Sequence, residues 1–326
     1  MRAAFLSAAV CLAVSTAAAE PPPPPKNTAA TAIRVPFWLA EGESPKAPDL
    51  KLSVNGKPLK VTRLLSQSDD LLLLLVLDWA GDLTLVDPAR TALLEELGKL
   101  PPNVNVALLR AQDGLRVLVD PQEGREKLIE AVQTISVSGR AGLLNSVEPA
   151  QQLGDRVASK ARVRVAVLFI SDGTIGNYRE DYTNPVVNSS DSGDMSRRFP
   201  EALINEKIRQ TAARLNRGDT PIFAVQLNYY TDRLNTAYQT GILDLASASG
   251  GSAEFCRSLA EIPAAIAKTM QSIVSLHSVD AEWRPGKQKQ LEVSLEAEGR
   301  KFQFRTRRQA PLTEIVGRPR GGAPSQ

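Results

Sequence analysis

The stretch from Leu71 to Asp82, LLLLLVLDWAGD, constrains this chain more than any other. Leu72 to Leu77 are consecutive apolar residues that run into a carboxylate, Asp78. Such a run, bounded by polar residues, reads as a strand buried on both faces of a parallel sheet. The pattern recurs at Val163 to Gly173, VRVAVLFISDG, another buried-strand run closing on an acid, Asp172, followed by glycine. In a doubly wound sheet the carboxyl ends of the central strands open onto one crevice. Two acids delivered there need either a cation or hydrogen bonds from loop amides and helix N-termini.

Around these two strands the chain alternates strand and helix. Asp87-Pro88 reads as an N-cap and first helical position. Leu93, Leu94, Leu97 and Leu100 follow on one helix face, and Pro101-Pro102 stop it. Val104 to Leu109 and Leu115 to Val119 read as strands joined by a turn at Asp113-Gly114, and Glu123 to Ile135 and Leu143 to Val157 as helices. Beyond the second acidic strand come a long polar loop, 173–200, a helix over Glu201 to Asn216 and a buried strand over Pro221 to Leu227. A helix over Ile242 to Ala248 is stopped by Gly250-Gly251, and a short strand (Ala253 to Cys256) and a last helix (Leu259 to Val274) complete the series. This rhythm predicts an α/β fold: a doubly wound, mostly parallel sheet with helices on both faces.

Both ends of the chain differ from this middle. Residues 1–19 combine Arg2, an apolar stretch and small residues before Glu20, the build of a secretory signal peptide. A buried N-terminal helix, or a lipid anchor at Cys11, are the competing readings. Residues 20–32 form a linker with five consecutive prolines. Residues 33–68 supply early strands, with an Asn55-Gly56 hairpin turn, and 277–312 supply late ones, Ser278 to Trp283, Gln290 to Leu295 and Lys301 to Thr306. Neither set can bury a face alone, so together they predict a small β-sandwich built from N- and C-terminal strands around the domain at 69–276. The tail, 313–326, is expected to be disordered.

A formal net charge of +3 from scattered basic residues points to neither nucleic acid nor an anionic membrane, and no segment has the run of about 20 apolar residues that a membrane span needs. With the leader removed, Cys256 is the sole cysteine, which rules out an intramolecular disulfide.

The order of these elements resembles the von Willebrand factor type A fold, particularly secreted bacterial proteins in which such a domain is flanked by strands from both termini. The residues that carry the resemblance are the strand ending at Asp78, Ser171-Asp172-Gly173, the FAVQL strand, the LASASGG segment before Phe255 and the final strands. The family's signature is a metal-ion-dependent adhesion site made of an Asp-x-Ser-x-Ser loop, a threonine from a later loop and a further aspartate. Here the first loop reads Asp78-Trp79-Ala80-Gly81-Asp82. Ala80 and Asp82 stand where the serines would be, the threonine's place falls near Ala141, and Asp172 is kept. The resemblance implies a degenerate site in which Asp78, Asp82 and Asp172 hold a divalent cation, magnesium first, that meets a carboxylate of a protein partner. Its alternative is a relic, with Asp78 and Asp172 capping helix N-termini and Asp82 solvated.

Catalytic readings are thinner. His277 is the single histidine, there is no G-x-S-x-G elbow and no phosphate-cradling glycine motif, and Cys256 lies in an apolar strand. Trp79, beside the first acid, is the tryptophan nearest the crevice. The sequence therefore favours an exported, non-enzymatic protein-binding module, periplasmic or extracellular. An exported scaffold with a vestigial metal site, acting through its sandwich or long loop, comes second, and an exported hydrolase third.

Overall fold

Leu71–Asp78 becomes the central strand, β5, of a six-stranded sheet. The structure is a computed structural model that describes residues 31–40, 44–177, 200–284, 286 and 288–311. The expected leader, the linker up to residue 30, most of the 173–200 loop and the tail lie outside the described residues.

β5 pairs in parallel with β6 (Val104–Arg110) on one side and β8 (Arg164–Ser171) on the other. Beyond β8 lie β9 (Ile222–Gln226) and β10 (Ala253–Phe255), also parallel. The antiparallel edge strand β7 (Arg116–Val119) follows β6 through the expected turn, in which Asp113 and Gly114 both have positive φ. Alternate residues of β5 face opposite layers, as strand geometry demands. Leu71, Leu73, Leu75 and Leu77 meet α1 (Leu83–Lys99), α2 (Arg125–Thr134) and α6 (Ile262–Val274). Leu72, Leu74 and Val76 meet α3 (Leu143–Lys160), α4 (Pro200–Leu215) and α5 (Arg233–Ser249). Every residue of β5 and β8 is buried, which explains the apolar runs at 71–77 and 165–170 within them.

Two helix starts differ most from the sequence reading. α1 starts at Leu83 with Asp82 as its N-cap, so Pro88 sits inside the helix rather than at its start. Proline there forfeits the hydrogen bond to the carbonyl of Thr84, an exposed residue, while the earlier start buries Leu85 and Val86. α5 starts well before Ile242, at Arg233, capped by Asp232, whose carboxylate accepts from the Asn235 amide at 3.0 Å. Its C-terminal Gly250, at φ +92°, is the left-handed stop that the sequence suggested.

The terminal strands pack as two four-stranded antiparallel sheets. One is ordered β13 (Phe302–Phe304), β1 (Thr31–Leu39), β11 (His277–Trp283), β4 (Val61–Leu65). The other is ordered β14 (Arg307–Gln309), β12 (Gln290–Glu296), β2 (Lys51–Val54), β3 (Lys57–Leu59). Ile33, Phe37, Leu52, Val279, Trp283 and Val293 form their shared core. β1 takes in Thr31 and Ala32 of the expected linker. The strand expected over Lys301 to Thr306 is shorter, β13 alone, because the chain turns the corner at Arg305 and Thr306 and continues as β14 in the other sheet. β3 and β4 turn the opposite corner at Lys60, so each side of the sandwich is closed by chain that crosses between sheets. Among the described residues no helix is long and apolar enough to cross a membrane.

Candidate functional site: the crest of the sheet

The carboxyl ends of β5 and β8 lie side by side, with Asp78 aligned opposite Ser171 in the parallel ladder, so the two acidic loops do meet on one edge. Their carboxylates point into protein. Asp78 is wholly buried: its Oδ1 accepts from the Gly142 amide at 2.7 Å, and its Oδ2 accepts from the Leu143 amide at 3.2 Å and the Ser171 hydroxyl at 3.0 Å. Asp78 thereby caps α3, whose own N-cap, Gly142, has no side chain to do so. Asp172, 3% exposed, accepts at Oδ1 from Ala80 N at 2.5 Å and at Oδ2 from Gly81 N at 3.0 Å and Asp82 N at 2.7 Å. Successive amides of the β5–α1 loop thus form an anion nest around it. Asp82 is half-buried and its Oδ1 accepts from the amide (3.1 Å) and hydroxyl (2.6 Å) of Thr84, the ordinary work of a helix N-cap.

Burial pushes the Asp78 carboxyl up to about 6, against the pull of its bonds from Gly142 and Ser171, and the nearby charge of Asp172 adds to the rise.

Ser171 is the residue the sequence reading left without a role. Its hydroxyl donates to Asp78 and accepts from Gly173 N at 3.0 Å, linking the two loops. A Cβ on Gly173 would come within 2.9 Å of the Ala141 methyl and 3.4 Å of Asp78 Oδ2, so the space beside this carboxylate is closed. Ala141, buried, brings only a methyl to this corner of the site. Trp79 is also fully buried, with the Arg90 guanidinium 5.4 Å from its ring centroid.

This donor set does not fit a divalent cation. Such an ion wants six or more oxygens at 2.0–2.6 Å, roughly, in a site open to water. Here both buried carboxylates are spent on amide and hydroxyl donors, and Ala80 and Ala141 bring no side-chain oxygen. Among the described residues no group of three His, Cys, Asp or Glu side chains is placed to hold a metal.

The solvent side of the crest is apolar and aromatic. Leu83 after β5, Tyr229 after β9 and Leu259 after β10 are 56%, 38% and 49% exposed. Tyr229 meets Phe255 edge to face, and the Arg257 guanidinium lies 5.7 Å from its ring centroid.

The candidate enzymatic residues lie elsewhere. His277 is fully buried at the start of β11 and stacked on Phe37, with ring centroids 5.2 Å apart. Its Nδ1 faces the Ser275 carbonyl at 2.9 Å and its Nε2 the hydroxyl of exposed Ser44 at 2.9 Å, and burial holds its pKa below the usual histidine value. Cys256 is buried, and burial pushes its thiol up to about 11, the signature of an inert core cysteine.

No protein-family model and no curated protein sequence matches this chain. Solved structures with a similar chain path include a mutant of the PilB minor pilin from Streptococcus sanguinis, at 10% identity and TM-score 0.44, covering 64% of this chain. The chain spans 62% of that pilin's length. A von Willebrand factor type A protein from Catenulispora acidiphila shares 10% identity at TM-score 0.42, over 90% of this chain and 76% of its own. Proximal thread matrix protein 1 of the mussel byssus, whose structure has a zinc-occupied metal-ion-dependent adhesion motif, shares 10% identity at TM-score 0.39, over 68% of this chain and 49% of its own. Similarity at this level brings no ligand or partner to the chain. Parallel strands in the order β10-β9-β8-β5-β6, helices on both faces and the two acids on one crest make this the doubly wound α/β fold that the sequence predicts.

Proposed function

We propose that this chain is an exported, non-enzymatic protein-binding module that works without a crest cation, its buried acids serving as pins that hold the crest loops in register. The observation that carries this reading is the crest itself: its two buried carboxylates are consumed by internal donors, while Leu83, Tyr229, Arg257 and Leu259 remain towards solvent. Exposed tyrosine and leucine beside an arginine that has no carboxylate partner among the described residues is the composition of a protein-contact patch. Export rests on the leader-like residues 1–19.

Two measurements test the two halves of the proposal. Calorimetric titration with magnesium, manganese or calcium should give no heat and no rise in melting temperature; a saturable heat that disappears in Asp172→Ala would restore the cation. Co-precipitation from the native envelope fraction should recover a partner that Tyr229→Ala or Leu259→Glu releases and chelator does not. A partner that withstands both substitutions would move the contact to the sandwich or the long loop.

A second reading, an exported hydrolase, draws on the hydrogen bond between exposed Ser44 and His277, the arrangement of a nucleophile and its base. Against it, the imidazole is oriented by a main-chain carbonyl rather than a carboxylate and is sealed from solvent. Covalent labelling of Ser44 by a fluorophosphonate, abolished in His277→Gln, would establish this reading; an unlabelled protein ends it.

A further inference from the structure

At the end of the sheet opposite the crest, where the sandwich meets the α/β module, the seam leaves a cavity of about 580 Å³. That lies within the range of roughly 300–1,000 Å³ typical of small-ligand sites. Among the described residues no acid lines it, and its one charged group is Arg305. Trp38 forms one wall. Its Nε1 donates to the Ser272 carbonyl at 2.8 Å and its ring meets Phe223 edge to face, at 5.9 Å between centroids, so the indole is pinned before any ligand arrives. Phe304 adds a second, half-buried ring.

The polar lining is largely unspent. The hydroxyls of Ser247 and Ser252 and the amide of Gln303 are on exposed residues and have no hydrogen-bond partner among the described residues. Arg305 donates through Nη1 to the Ala248 carbonyl and through Nη2 to the Gly218 carbonyl at 2.6 Å, and among the described residues no carboxylate touches it. Asp219, the acid nearest along the chain to Gly218, is paired with Arg308 instead. The guanidinium fork therefore keeps N–H groups free, Nε among them. Burial pulls its pKa down to about 9, which leaves it cationic at neutral pH.

We propose that this cavity binds a short acidic saccharide. A pyranose ring presents an apolar C–H face that packs on an aromatic wall such as Trp38, and equatorial hydroxyls that need hydroxyl and amide partners, here Ser247, Ser252 and Gln303. A uronic-acid carboxylate supplies what Arg305 lacks, a planar anion matching its fork. The site lies at the far end of the sheet from the crest, so it stands or falls independently of the protein contact proposed there.

Titration of the full chain with digalacturonic acid, followed by calorimetry, tests the assignment, with cellobiose as the neutral control. The expected result is saturable binding of the acid and binding of cellobiose at least about tenfold weaker. Arg305→Gln should abolish the preference. Because Arg305 also holds the seam, Gln303→Ala and Ser247→Ala serve as the decisive variants. Both change exposed side chains, and each should weaken the acid several-fold with no change in melting temperature. Absence of saturable binding, equal binding of the two sugars, or affinity unmoved by both exposed substitutions would overturn the proposal.

Discussion

At the crest, the carboxylates of Asp78 and Asp172 are surrounded by main-chain N–H groups; at the seam, the guanidinium of Arg164 is surrounded by main-chain carbonyls. Arg164 is fully buried and donates through Nη1 to the carbonyls of Val274 (2.9 Å) and Leu276 (2.8 Å) and through Nη2 to those of Gln67 (3.0 Å) and Asp69 (2.6 Å). Those carbonyls belong to the two connections that join the α/β module to the sandwich. Arg34 reaches the Val163 carbonyl at 3.0 Å from β1, and Arg308 the Arg217 carbonyl at 2.6 Å from β14. Both ends of the sheet thus bury charge against peptide dipoles, with Arg34 and Arg308 also paired to Asp280 and Asp219, as burial without such partners would be prohibitive. The crest acids tie loop to loop within one module, whereas the seam arginines tie one module to another. Removing a crest acid should loosen a loop; removing a seam arginine should loosen the whole chain.

The largest expected effect tests that difference. Arg164→Met leaves the surrounding carbonyls buried and unpaired, and should cost about 3–5 kcal/mol in urea unfolding. A loss under about 1 kcal/mol would mean that water replaces the guanidinium, and the seam would be a wet contact. Next comes the pH response of Asp78. Well below 3.8 its carboxyl is protonated in both folded and unfolded chains. Between 3.8 and about 6 the unfolded chain gives up its proton while the folded chain keeps it, so stability falls as pH rises. Above about 6 both states are ionised and the loss stays constant, at about 3 kcal/mol. Melting curves from pH 4 to 7 for the wild type and Asp78→Asn should differ by this slope, and parallel curves would show that the three donors outweigh burial. Asp172→Asn is smaller, about 2 kcal/mol, since an amide keeps one acceptor but turns an N–H towards the Ala80–Asp82 nest.

The same comparison shows what a sequence can and cannot display. The unbroken apolar runs of β5 and β8 could only be doubly buried strands, and two such strands in one parallel sheet must bring Asp78 and Asp172 to a common edge. The partners of those acids were hidden, because a main-chain N–H carries no residue identity. Ala80, Gly81 and Gly142 look chemically empty, yet they supply the donors. Arg164 was equally silent, standing in an apolar strand like any surface arginine misplaced by one position. The early start of α5 had a signal that went unread, Asp232 followed by Leu234, Tyr238, Ile242 and Leu245 at helical spacing. The split of the last strand had none, since the corner at Arg305 is set by the seam carbonyls it reaches rather than by a turn residue.

Asp82 gives the smallest effect and the sharpest discrimination between a cap and a ligand. It is the one acid of the three that water can reach, and both its bonds run to Thr84, on the helix it starts. Asp82→Ala should therefore cost only about 1 kcal/mol, and Asp82→Asn or Asp82→Ser almost nothing, since each restores an N-cap acceptor. A metal ligand would rank these replacements differently: asparagine and serine would lose the charge that holds the cation and would fall with alanine. Thermal melts of the three variants, with and without about 5 mM magnesium, separate the two orders. Recovery in Asp82→Ser that magnesium does not alter keeps Asp82 with the crest pins, whereas a magnesium-dependent gain confined to the wild type would make it a ligand.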